Sequence, residues 1–135
     1  MYWSLFFGGW IDVLREMIGT KYDCTKEFLN RYKDEGIVWY FDNFAMNPDD
    51  MYRTLLQMKY AGYFKYAKAV MVGRVCFEGK GKMTYLEALD LALGDIPYVM
   101  DADIGHIIPR FTLINGAMMT LDTYGNKGKI SFELK

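Results

Sequence analysis

At 135 residues, the chain is long enough for one domain with a self-sufficient core, and its 52% apolar and 17% aromatic content excludes intrinsic disorder. Sixteen basic against seventeen acidic side chains, a net charge of -1, leave no electrostatic footprint for nucleic acid or an anionic membrane surface. Two cysteines, Cys24 and Cys76, match neither a disulfide framework nor a CxxC metal site, and are expected to be reduced, buried thiols of a cytoplasmic protein.

The first ten residues, MYWSLFFGGW, are apolar but carry no positive leading segment and no small-residue cleavage site, and the run is too short to span a bilayer. They are read as neither signal peptide nor anchor, and an apolar start of this kind calls for a packing partner. Ile11, Leu14 and Ile18 recur at helical spacing and Gly19 stands in the stop position, which predicts a first helix from Ile11 to Ile18. Thr25 is expected to cap a second short helix through Tyr32, followed by a turn at Asp34-Glu35-Gly36. Ile37 to Phe41, IVWYF, is β-branched and aromatic with no polar alternation, as expected of a strand covered on both faces.

Asn47-Pro48-Asp49-Asp50 is a helix start with its cap, its first-turn proline and its dipole-complementing acids all in place. Met51, Leu55 and Met58 are its expected buried face, and Gly62 its end. Ala69 to Gly73 predicts a second apolar strand. Thr84 and Glu87 form a capping box that opens a helix with Leu86, Leu89, Ala92 and Leu93 turned inward and Gly94 as its stop. Tyr98 to Met100 is the third strand. Strand, helix, strand, helix, strand predicts parallel strands joined by right-handed crossovers. In the tail, residues 117–123 and 129–135 flank a TyrGlyAsnLysGly turn, and the second segment alternates, predicting an antiparallel hairpin. The expected fold is a layered α/β domain over residues 1–135: a small parallel sheet from strand-helix-strand units plus an antiparallel hairpin.

Parallel strands present their carboxyl ends on one edge, so residues just beyond them meet even when distant in sequence. Asp42 follows the first strand; Asp101, Asp103, Gly105 and His106 follow the third. His106 is the only histidine and the one side chain whose ordinary pKa lets it exchange a proton near neutrality. A carboxylate within reach would orient its ring and stabilise the protonated form. The competing reading has Asp42 capping a turn and Asp101 satisfying local backbone donors. No serine in the chain lies on a strand-to-helix elbow: Ser4 is in the apolar start and Ser131 in the hairpin. GlyLysGlyLys at Gly79 to Lys82 lacks phosphate-loop spacing.

With these residues in place, nearly the whole chain resembles the C-terminal half of the LD-carboxypeptidase family of serine peptidases, which includes the microcin self-immunity proteins. Gly8-Gly9, a helix, then Gly19-Thr20 resemble the entry into that domain, and IVWYFDNF resembles the strand that ends in the catalytic acid. The stretch from Met51 to Gly62, with ArgThrLeuLeuGlnMetLys and AlaGly, resembles the helix that follows, and ValGlyArg at Val72 to Arg74 the next strand end. GlyAspIlePro, AspIleGlyHis and ProArgPheThrLeu resemble the segment around the catalytic histidine. The resemblance implies a layered domain of the swivelling β/β/α type and a cytoplasmic hydrolase that cuts amide bonds of murein tetrapeptides or peptide-nucleotides without a cofactor or metal. His106 would be the base. Asp42 would take the place of the family's glutamate, with a shorter side chain, and Asp101, Asp103 and Gly105 would support them.

The family's serine belongs to an N-terminal domain with no counterpart here, so the resemblance implies a domain fragment or truncated gene product, inactive alone, whose partners are that nucleophile domain and a peptide substrate. Two other classes stay open. One is a non-catalytic interaction domain, with the apolar start as a surface for a partner domain or a homodimer. The other is a metal-dependent hydrolase that uses Asp101, Asp103 and His106 as ligands.

Overall fold

A computed structural model describes residues 2–134 of the chain. Its first element is the apolar start itself, strand β1 at Tyr2–Trp10, followed by helices α1 at Ile11–Met17 and α2 at Thr25–Arg31. Strand β2 at Ile37–Asp42 leads into α3 at Pro48–Tyr60, and β3 at Ala67–Gly73 into α4 at Tyr85–Leu93. Strand β4 at Tyr98–Ala102 and a closing hairpin, β5 at Met118–Tyr124 and β6 at Lys127–Glu133, complete the chain. One mixed sheet holds all six strands in the order β4-β3-β2-β1-β5-β6.

The expected parallel sheet is present with one strand more than anticipated. β1, β2, β3 and β4 pair in parallel, and β5 joins antiparallel to β1. Periodicity does not separate a short apolar run such as the first ten residues from a buried helix or an interface segment, so their pattern specifies no element. Their partners, Ile37 to Asp42 on one side and Met118 to Leu121 on the other, come from distant parts of the chain. At Gly8 the backbone passes so close to β2 that a Cβ would lie 1.9 Å from the Tyr40 carbonyl oxygen. Glycine is therefore the residue that fits there.

Apolar side chains leave the parallel strands on both faces. Leu5, Trp39, Phe41, Val70 and Val72 pack under the helices with Met51, Leu55, Met58, Leu89 and Leu93. Phe6, Val38, Met71 and Ile104 form a second core with Met119 and Leu121 of the hairpin. This double burial is the physical reason that the strands read as unbroken apolar runs.

The helix signals are met at the caps. Asn47 Oδ1 accepts from Asp50 N–H at 2.9 Å, and Thr84 and Glu87 form the reciprocal capping box. Three expectations are corrected. Leu86 is 52% exposed, because the inward face of α4 is made by Ala88, Leu89, Ala92 and Leu93. Thr25 is the first residue of α2 rather than its cap; Asp23 accepts from its N–H and from that of Gly19. Cys24 is exposed and Cys76 half-buried, since both sit in connections outside the two cores. No helix among the described residues is long and apolar enough to cross a membrane.

Candidate active site at the carboxyl edge of the sheet

Parallel pairing sets Trp10 beside Asp42, and Gly73 beside Ala102, so the ends of β1 to β4 form one edge. Asp42 is the last residue of β2 and is 6% exposed. Its Oδ2 is hydrogen-bonded to His106 Nδ1, although the two residues are 64 positions apart. An ionised carboxylate only accepts, so this bond places the proton on Nδ1 and leaves Nε2 with its lone pair. The aspartate thus reaches the ring despite being one methylene shorter than glutamate.

Gly105 makes that contact possible in two ways. Its φ of 91° lies in the left-handed region, and a Cβ at this position would fall 2.0 Å from Asp42 Oδ1. The loop thus lies directly on the carboxylate, and Asp42 Oδ1 is buried without a hydrogen-bond partner.

Two aromatic rings flank the imidazole. The ring centroid of Trp10 is 5.0 Å from that of His106, the centroid of Phe44 is at 4.8 Å, and the two aromatics are 5.6 Å apart. Asp12, in the first turn of α1, ties them together. It accepts from Trp10 Nε1 at 2.8 Å, from Phe44 N–H at 3.1 Å and from Ala45 N–H at 3.3 Å. Behind Phe44, the fully buried Asn43 holds the turn through Met46, and Phe77 packs edge-on against the Phe44 ring at 5.1 Å.

Trp10, Asp12 and Phe44 were not legible as site residues. The GlyGlyTrp of the apolar start was the only signal, and it acquires meaning only once β1 is placed beside β2. Asp101 and Asp103 do not bond to the ring. Asp101 is exposed at φ 57°, and Asp103 pairs with Arg74 at 2.8 Å. Among the described residues no group of three or more histidine, cysteine, aspartate and glutamate side chains is placed to hold a metal ion.

The His106 side chain is 40% exposed at this edge. Two cavities, of about 340 and 390 Å³, lie elsewhere, the first between Arg15 and Arg53 and the second between Leu5 and Ile114. Three large apolar side chains on the connections that follow β3 and β4 are exposed: Phe77 at 60%, Phe111 at 59% and Ile108 at 84%.

A family model described as LD-carboxypeptidase C-terminal domain matches residues 4–121. Among solved structures, a muramoyltetrapeptide carboxypeptidase from Oxalobacter formigenes superposes with a TM-score of 0.77 at 21% identity, over 96% of this chain and 45% of the other. The microcin C7 self immunity protein MccF, in complex with glutamyl sulfamoyl guanosine, gives 0.77 at 19% identity, over 98% and 38%. An MccF-like protein from Streptococcus pneumoniae, in complex with AMP, gives 0.64 at 25% identity, over 87% and 37%. No curated protein matches. The chain spans less than half the length of these structures.

Proposed function

This chain belongs to the LD-carboxypeptidase C-terminal domain family, and from that premise we propose that it is the acid-base half of a serine hydrolase that cleaves amide bonds of murein tetrapeptides or microcin-like peptide-nucleotides. The observation that carries the reading is the bond between His106 Nδ1 and Asp42 Oδ2, formed by two strand ends at the edge where parallel sheets hold their sites. His106 acts as the general base. Its Nε2 takes the proton of an attacking serine hydroxyl and later returns it to the leaving amine. Asp42 holds the ring and its tautomer. Trp10 and Phe44 confine the imidazole between them.

The nucleophile comes from outside these 135 residues. Ser4 is buried, and its Oγ donates to the Trp3 carbonyl at 2.7 Å. Trp10, which packs on His106, lies six residues further along β1, about 20 Å at the usual strand rise. Ser131 pairs with Thr120, which in turn pairs with Trp3, at the same remote end. The serine is supplied by an N-terminal nucleophile domain that docks on this edge, and the chain alone has no peptidase activity. Asp101, Asp103 and Gly105 support the histidine loop.

The test is release of D-alanine from a murein tetrapeptide. The chain alone is expected to give none, and addition of a separately produced nucleophile domain of this family is expected to restore turnover that His106→Ala abolishes. Turnover by the chain alone that depends on His106 would refute the half-site reading. A second reading, a non-catalytic interaction domain, draws on the exposed Phe77, Ile108 and Phe111. Stable homodimers in sedimentation, together with no gain of activity on complementation, would favour it.

A further inference from the structure

The loop that carries His106 is tied down by a residue to which the reading above gives no task. Arg74 follows β3 directly, and its backbone N–H donates to the Ala102 carbonyl at 3.1 Å where β4 ends. Its Nη2 reaches Asp103 Oδ1 at 2.8 Å and the Pro109 carbonyl at 2.8 Å. These two acceptors lie on either side of His106 in sequence, so one guanidinium group spans the histidine loop from before to after. Phe111 N–H closes the same loop by donating to the Asp103 carbonyl at 2.7 Å. Ile104 is fully buried, and it packs so close to Gly73 that a Cβ there would lie 2.8 Å from Ile104 Cγ1.

We propose that Arg74 is the positioning residue of His106, holding residues 103–109 in the one arrangement that presents Nδ1 to Asp42. This rests on the reading of His106 and Asp42 as the acid-base pair and adds the device that registers them. The need for such a device is physical. Asp42 is fixed by its strand, whereas His106 stands on a loop with a side chain 40% exposed, and Ile104 and the Phe111 bond to Asp103 anchor only the base of that loop. A planar guanidinium with several fixed donors can hold two acceptors at once, which an ammonium on a flexible stem does less well.

The single histidine makes the test direct. In the 135-residue chain, the Nδ1 proton held against a carboxylate is expected to give one far-downfield proton resonance, absent in Asp42→Asn. Arg74→Met is expected to broaden or abolish it and to speed amide exchange at Ile104 and Phe111 by up to about fivefold, the upper end for a charged pair that is partly solvated. Arg74→Lys is expected to restore part of both. A resonance and exchange rates in Arg74→Met that match those of wild type would overturn the proposal while leaving the His106–Asp42 pair intact. A wild-type chain without the resonance would count against the pair itself, and the exchange rates would then judge Arg74 alone. Should Arg74→Met fail to fold, Asp103→Asn removes the charge of the carboxylate acceptor, and its resonance and exchange decide in the same way.

Discussion

Gly105 shows how far a single residue governs the site. Alanine there meets two penalties together: a left-handed backbone that costs an L side chain about 1–2 kcal/mol, and a methyl group placed within the van der Waals shell of Asp42 Oδ1. Asp42 cannot yield, because it is the last residue of a buried strand. The loop must move, and the imidazole moves with it. Gly105→Ala is therefore expected to lose the downfield His106 resonance and to destabilise the fold, whereas Gly62→Ala, at a positive φ but with nothing within 4 Å, is expected to leave the resonance in place. Equal resonances in the two variants would show that the loop accommodates the methyl group elsewhere.

The elements are held by caps and by buried faces, and each has its own signature. Leu55 is fully buried between α3 and the sheet, so Leu55→Ala is expected to cost about 2–5 kcal/mol in denaturant unfolding. Asn47→Ala, which removes only the cap bond to Asp50, is expected to cost about 1 kcal/mol. A cost for the cap as large as that for the core residue would mean that α3 is nucleated at its N-terminus rather than held by packing. The entry to α2 depends on pH. Burial works against ionisation of Asp23, but the Tyr63 hydroxyl and donors from Gly19 and Thr25 overcome it and hold its carboxyl at about 2 instead of 3.8. The Tyr63 hydroxyl is pushed up to about 12, by burial and by the same carboxylate. Because the folded-state value of Asp23 lies below the unfolded one, its contribution is present above about pH 4 and is lost as the pH falls toward 2. Asp23→Asn is expected to flatten the acid limb of the stability profile between those values; a limb as steep as that of wild type would place the acid sensitivity in another group.

At the scale of the molecule, the sheet edge is finished on one side and open on the other. Asp42 and His106 are assembled without a partner, while Trp10 remains 39% exposed next to them. Docking of a nucleophile domain on this edge is expected to bury the Trp10 indole and shift its emission to the blue, an effect absent in Trp10→Phe. Trp39, already 1% exposed in the core, is not expected to contribute. Restored hydrolysis with no change in Trp10 emission would mean that the domain docks without covering this end of β1.

Local chemistry determined much of this protein. The caps at Asn47 and Thr84 and the apolar run at IVWYF each depend on neighbours within a few residues and stand where the pattern puts them. The alternating tail strand begins two residues earlier than its pattern indicates, at Lys127, because the hairpin closes on Gly125-Asn126 alone; Lys135 lies outside the described residues. The edge that brings Asp42 toward His106 also followed from strand order, because parallel strands end together. Tertiary structure decided the rest. Which carboxylate meets the ring, among Asp42, Asp101 and Asp103, depends on a left-handed Gly105 and on Arg74 claiming Asp103. That MYWSLFFGGW is the strand between β2 and β5, and that Trp10 thereby packs on His106, depends on pairing with segments about 30 and 110 residues away. Hydrophobic pattern records that a segment is buried, but hydrogen-bond partners and register are properties of two chain segments at once, and neither segment carries them alone.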